Sequence, residues 1–183
     1  MMSRITSRTR GLTLLELMVT IAVLAVLATI AIPSFQETIR SNQVASQTNE
    51  LISLLHLARN EAVRRNLQGD SVSARTMRVE LASNGSVWEA FVHPPGDDET
   101  ADGCPQGAIR CSEGRSVTLS VVAPSGSSLV RFDNRGYSVN IQGAPVEARL
   151  QLIHDNATSD RHRRCVRVFP GGQVAFDEGV CGA

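Results

Sequence analysis

The sequence predicts an α+β protein in which one long amino-terminal helix packs against a C-terminal β-sheet head. Three observations carry that prediction. From residue 12 to residue 32 the chain is almost wholly apolar, with Glu16 as its one charged side chain before Glu37. From Ser34 to about Asn66 the apolar residues recur at helical spacing. After Gly69 the period becomes alternating, and Gly, Pro and Asn break it into short runs that read as strands.

The first element begins behind a basic leader, Arg4, Arg8 and Arg10, that ends at Gly11. A run of about 18 or more apolar residues reads as membrane-crossing, and residues 12–35 at roughly 1.5 Å per helical residue cover the ~30 Å hydrocarbon layer. A secretory signal is cut after its apolar region, behind a small-residue motif. Here the expected cut lies in front of that region, at Gly11/Leu12, so the helix is retained. A carboxylate inside such a span is expensive to desolvate, which makes Glu16 a candidate functional residue in need of a partner.

Gly11-Leu12-Thr13-Leu14-Leu15-Glu16-Leu17 closely resembles the leader of type IV pilins and pseudopilins, which typically reads Gly-Phe-Thr-Leu-Ile-Glu-Leu. Leucine stands here in place of the usual phenylalanine after the cut. The resemblance implies that a prepilin peptidase cleaves after Gly11 and methylates the new amine on Leu12. It also implies that Glu16 pairs with the terminal amine of a neighbouring subunit during filament assembly. Pro33 occupies a position that recurs in the pilin pattern, and a proline inside a helix removes a backbone hydrogen bond, so a kink or local unwinding is expected there.

The second half of the helix is amphipathic. Val44, Leu51, Leu55, Ala58 and Ala62 fall on one face, with Ser46, Ser53, Asn60 and Arg64 opposite. If continuous from residue 12 to residue 66, the rod would be roughly 80 Å long. Residues 54–66, Leu-Leu-His-Leu-Ala-Arg-Asn-Glu-Ala-Val-Arg-Arg-Asn, look like the Leu-Ala-Arg-Ser-Glu-Ala-Ile-Lys-Arg-Asn signature of the FimT/FimU minor pilins and GspH pseudopilins. Glu61 with Arg64 or Arg65 is a helix-spaced ion pair worth a few tenths of a kcal/mol. Arg59 and Glu61 therefore read as structural surface, not as catalytic groups. The domain plan is a leader at 1–11, a transmembrane or filament-core half-helix at 12–35, an amphipathic half-helix at 36–68, and a β-rich periplasmic head at 69–183.

In the head, Met77-Arg78-Val79-Glu80-Leu81 and residues 87–92 flank Ser83-Asn84-Gly85, a strong hairpin signal. Residues 94–114 are rich in Gly, Asp and Pro and read as a surface loop. Asp97, Asp98, Glu99 and Asp102 make it the most acidic stretch, but their spacing does not follow the EF-hand pattern, so a solvated loop is expected and not a calcium site. Further strands are expected at 116–122, 128–133, 137–141, 147–153 and 164–169, with a last one at 173–176 after the Gly171-Gly172 turn. Regular short strands after one long helix place sheets against its apolar face.

Four cysteines behind an export anchor favour disulfides over metal or redox chemistry. Of the three possible pairings, Cys165 with Cys181 and Cys104 with Cys111 are preferred because each joins the ends of one local loop. The first would close about 17 residues and contribute roughly 3 kcal/mol in the chain-entropy model. No zinc-ligand spacing is formed by the cysteines with His154 and His162, and no metal or other cofactor is expected.

Composition narrows the function classes. The 183-residue chain has a formal charge of zero, and removing the leader arginines leaves an acidic excess of three, which does not suggest indiscriminate nucleic-acid binding. All basic residues are arginine, and only 4% of residues are aromatic, so stacking platforms are scarce. There is no nucleophile elbow, zincin motif or phosphate-binding glycine loop, and no enzymatic role is expected. DNA is a candidate partner because Arg163, Arg164 and Arg167 lie in a local basic cluster that could contact phosphates. Some FimT-type pilins bind DNA through a Gly-Arg-x-Arg motif, but the corresponding stretch here is Gly172-Gln173-Val174-Ala175. Arg163, Cys165 and Arg167 would also share a strand face, so the cluster can equally be a solvated sheet.

The resemblance thus implies a minor pilin of the FimT/FimU type, held in the bacterial inner membrane by a single pass with a periplasmic head and then drawn into a type IV pilus. Its implied partners are the prepilin peptidase, other minor and major pilins, and the inner-membrane assembly platform. The alternatives are a GspH-like pseudopilin of a type II secretion system and a DNA-uptake pilin.

Overall fold

A computed structural model of the chain describes residues 13–84, 86–95, 104, 107–124 and 127–182. One helix, α1, spans Leu14–Arg65. Its start is fixed by Thr13, whose Oγ1 accepts the backbone N–H of Glu16 at 3.2 Å and so satisfies one of the amide donors that open a helix. Glu16 in the first turn complements the positive end of the helix dipole, and Arg64 and Arg65 complement the negative end. Asn66 then adopts a left-handed φ of 45°, a conformation asparagine tolerates, and the helix stops.

The chain divides into two compact units, one ending at Ile39 and the other beginning at Arg40. In the first unit every described side chain is exposed. Thr20, Thr29 and Thr38 donate their hydroxyls to the carbonyls of Leu17, Val26 and Ser34, so these polar groups are satisfied within the helix itself. Helical structure runs through Pro33 without a break, although its ring nitrogen has no hydrogen for the carbonyl of Thr29.

The second unit contains two antiparallel sheets. The strands are β1 (Thr76–Asn84), β2 (Val87–His93), β3 (Arg110–Arg115), β4 (Val117–Ala123), β5 (Leu129–Asp133), β6 (Ser138–Val139), β7 (Ala148–His154), β8 (Arg163–Val168) and β9 (Val174–Glu178). The first sheet has the order β3-β2-β1-β5-β6 and the second β4-β7-β8-β9. Alternation sets which face is buried: Met77, Val79 and Leu81 of β1 point inward, with Val79 opposite both Val92 and Val130. They meet Val44, Leu51, Leu54, Leu55, Ala58 and Ala62 of α1 in one apolar core. Leu119, Leu150, Leu152, Val166 and Val168 close that core from the second sheet. Thr48 lies within the helical stripe and is buried because its hydroxyl donates to Val44 O at 2.7 Å.

Two expectations need correction. Residues 110–114, read as part of a surface loop, belong to edge strand β3. Gly114 looks like a loop residue but sits opposite Trp88, and a Cβ there would collide with the Trp88 indole and the Gln47 side chain. The glycine makes room for a tryptophan. The strand expected at 137–141 shortens to Ser138–Val139 because Asn140 turns the chain. Its Oδ1 accepts the backbone N–H groups of Gln142 and Ala144 at 3.0 and 2.9 Å, and Gly143 takes a φ of +81°. The turn residue Gly85 and the acidic residues Asp97, Asp98, Glu99 and Asp102 lie outside the described residues.

Candidate assembly segment and head surface

The amino-terminal segment is built from one helix face after another of apolar residues, with Leu14, Leu15, Leu17 and Met18 around Glu16 all exposed. α1 contains a window of mean hydropathy 2.5, none of it buried, in a helix long and apolar enough to cross a membrane. Among the described residues no cation pairs with the Glu16 carboxylate. Placed in hydrocarbon, such a group is stabilised chiefly by a cation brought to it. Gly11 and Leu12, the expected cleavage and methylation positions, lie outside the described residues.

Three polar residues of α1, Arg59, Gln47 and Glu50, tie the helix into the head, and a fourth, Glu61, pairs within the helix. The Arg59 guanidinium donates from Nε to Gly136 O at 3.1 Å, and from Nη2 to Gly171 O at 3.3 Å. One side chain thereby holds the β5–β6 turn and the β8–β9 turn, one from each sheet. Gln47 donates to Arg115 O and accepts from Trp88 Nε1, both at 2.7 Å. Glu50 accepts from the Ser112 hydroxyl and, at 2.8 Å, from Arg110. The Ser112 hydrogen bond, followed by the Arg110 charge, holds its carboxyl below the usual carboxylate range. Glu61 accepts from Arg64 and Arg65, and these hydrogen bonds lower its pKa to about 2.

Sequence reasoning treated Arg59 as surface and missed Gln47 and Glu50 altogether. A signal existed for Gln47, since residues 44, 47, 48 and 51 form one helical stripe in which a polar residue needs a polar partner. Thr13-x-x-Glu16 likewise carries a capping-box pattern.

At the other end of the chain, Cys165 is bonded to Cys181 and Cys104 to Cys111. The first bond lays the terminal residues back across the second sheet. Buried Gln151 holds the same segment: its Nε2 donates to Gly179 O at 3.1 Å and its Oε1 accepts the Cys181 N–H at 2.5 Å. Nothing in the sequence singled out Gln151, which occupies an outward strand position between two core leucines.

The three arginines considered for DNA contact each meet an acid. Arg163 pairs with Asp160 at 3.3 Å, and the buried Arg164 pairs with Glu178 at 2.9 Å. Arg167 bonds Asp177 and lies 5.5 Å from the Phe169 ring centroid. Among the described residues no group of three or more His, Cys, Asp or Glu side chains is placed to hold a metal.

Residues 47–172 match the family model described as type II transport protein GspH. Residues 6–32 match the prokaryotic N-terminal methylation motif. No curated protein matches the chain. Among solved structures, the type IV minor pilin FimU of Pseudomonas aeruginosa, in its P21 crystal form, is similar with a TM-score of 0.52 and 18% identity. That likeness covers 74% of this chain and 89% of FimU, and extends to the fold. A second FimU crystal form gives a TM-score of 0.49 at the same identity, over 73% of this chain and 91% of FimU.

Proposed function

Because the chain belongs to the GspH family and carries the methylation motif at its amino terminus, we propose that it is a non-enzymatic minor pilin of a type IV pilus. The observation that carries this reading is the exposed apolar segment of α1 within that motif, with Glu16 as its one acidic group. A prepilin peptidase cuts after Gly11 and methylates Leu12. The chain waits in the inner membrane as a single pass, then enters the filament through the assembly platform. Opposite charges meeting in lipid each remove the other's desolvation cost, so the Glu16 carboxylate and a neighbour's terminal amine favour one docking register. Pro33 gives the packed helix a place to bend. The fold is that of FimU, described as a type IV minor pilin, which is consistent with a pilus role; priming assembly or a place near the tip beside other pilins is part of this proposal.

A secretion pseudopilus is the second reading, favoured by the name of the matched family. DNA uptake is the weakest, since Arg163, Arg164 and Arg167 are already engaged by Asp160, Glu178 and Asp177. Mass spectrometry of sheared, purified surface pili tests the proposal. A peptide starting at methylated Leu12 in that fraction supports pilus membership. Processed protein confined to the cell envelope moves the assignment to the pseudopilus, and an intact leader sinks both.

A further inference from the structure

Two buried histidines bracket the connection between β7 and β8. His154 closes β7, opposite Val117 of β4, and His162 closes the 3-10 turn Asp160–His162 that leads into β8. Their rings stand 6.3 Å apart between centroids. Each accepts a backbone N–H of the connection at Nδ1: His154 from Asn156 at 3.1 Å, and His162 from Thr158 at 3.2 Å. An accepting nitrogen carries no proton, so both neutral rings hold theirs on Nε2. The His154 Nε2–H then donates to Gln43 Oε1 of α1 at 2.9 Å. His162 Nε2 is buried with no acceptor among the described residues. The connection touches α1 once more, where the Ser41 hydroxyl meets Arg161 O at 3.5 Å.

Protonating either Nδ1 turns an acceptor into a donor aimed at another N–H. It also places a cation in a buried site beside a second imidazole. We propose that His154 and His162 form a pH-sensitive latch, which holds the β7–β8 connection on α1 at neutral pH and releases it on acidification. The surrounding charged groups are Arg40 of α1, Asp155, Asp160 and Arg161 of the connection, and Arg163 and Arg164 of β8, Arg164 being paired with Glu178 of β9. Strand β4 presents the neutral Val117 and Thr118.

Burial lowers the His154 pKa below its ordinary 6.5; Asp155 opposes that shift, while Arg40 and His162 add to it. The sign follows. Above about 6.5 the ring is neutral in both the open and closed states, and the latch keeps its full strength. Below that value the open state binds the proton more readily, and closure weakens as pH falls towards the folded pKa. The His154 proton linked to opening makes the opening constant rise by up to about tenfold per pH unit in that window.

The test is hydrogen exchange by mass spectrometry on the full chain in detergent micelles between pH 8 and pH 5, with intrinsic exchange rates divided out. Peptides covering residues 154–163 are expected to lose protection as pH falls below about 6.5, with a slope of up to about tenfold per unit for the one proton on His154, while peptides from β1 and β2 keep theirs. The double variant His154→Asn, His162→Asn retains an acceptor oxygen near each Nδ1 position but cannot titrate, and its protection should be flat with pH. Equal protection of the wild-type segment at pH 7.5 and pH 5 overturns the proposal, as does loss of protection across all strands together. Where the double variant fails to fold, that wild-type profile still decides, joined by the NMR titration of the two rings: a ring that stays neutral while the segment opens also overturns it.

Discussion

Arg59 Nε donates to Gly136 O at 3.1 Å, at a turn whose close approach to Gly172 leaves no room for a further atom. A Cβ on Gly172 would overlap the Gly136 carbonyl, and the residue also takes a φ of +75°. By contrast, a Cβ on the adjacent Gly171 meets nothing within 4 Å. One helix side chain and two glycine turns thus lock both sheets to α1. Gly172→Ala is expected to prevent correct docking of the β8–β9 turn, whereas Gly171→Ala shifts stability by less than about 1 kcal/mol. Arg59→Ala should cost about 2–4 kcal/mol, since hydrogen bonds from a charged donor are worth roughly 1.5–3 kcal/mol each. Urea unfolding of the full chain in detergent, followed by Trp88 fluorescence, measures all three. An Arg59→Ala midpoint equal to wild type would remove Arg59 from this role.

The same site shows what was legible beforehand. Helical spacing marked Val44, Leu51, Leu55, Ala58 and Ala62 as core, and all five are buried, because a 3.6-residue period on a long helix survives any tertiary arrangement. Arg59 lies beside that stripe and looked like surface. Its carbonyl partners come from turns 77 and 112 residues away, a relationship no local pattern encodes. Edge strand β3 was hidden for a similar reason. Its residues answer tertiary needs, Gly114 for Trp88 of β2 and Ser112 for Glu50 of α1, so it shows neither apolar alternation nor β-branched enrichment. The amino-terminal methylation motif was legible because consecutive residues, 6–32, carry it.

The bond between Cys165 and Cys181 and the two hydrogen bonds of Gln151 act on the same terminal segment. Replacing both cysteines with serine removes a 16-residue closure, expected to cost roughly 3 kcal/mol. The loss should appear first as faster amide exchange in residues 174–182, with β1 and β2 unchanged. In that Cys165→Ser, Cys181→Ser background Gln151→Leu should add a further loss of about 1–2 kcal/mol, because it leaves the backbone N–H of residue 181 without its acceptor. Exchange that speeds up equally in all strands would refute this local role.

Glu61 supplies a pH dependence with a definite sign. Its folded pKa of about 2 lies below the ordinary 4.5, so the folded helix end favours the ionised carboxyl. Its contribution is complete above about 4.5 and disappears as pH falls through about 2. Arg64 is largely exposed and Arg65 partly so, which limits the effect to under about 1 kcal/mol. Glu61→Gln should therefore melt slightly below wild type at pH 7, and the gap should close as pH approaches 2. A gap that widens on acidification would contradict the assignment.

The docking role proposed for Glu16 can be tested apart from processing. The backbone N–H of Glu16 is held by Thr13 Oγ1, a bond that loss of the carboxylate leaves in place. The carboxylate is exposed among leucines with no cation near it among the described residues. Glu16→Ala should leave cleavage after Gly11 largely intact, because the leader and the helix cap are unchanged. Incorporation should fall by at least tenfold, the loss of a single desolvated ion pair worth more than about 1.4 kcal/mol. Glu16→Gln should behave like alanine, since an amide keeps the size but not the charge, and Glu16→Asp should recover part of the yield. Immunoblots of the sheared filament fraction against the membrane fraction measure this, with leader removal scored on the same samples. Normal incorporation of Glu16→Gln would eliminate charge pairing as the docking force and leave apolar packing of α1 to set the register.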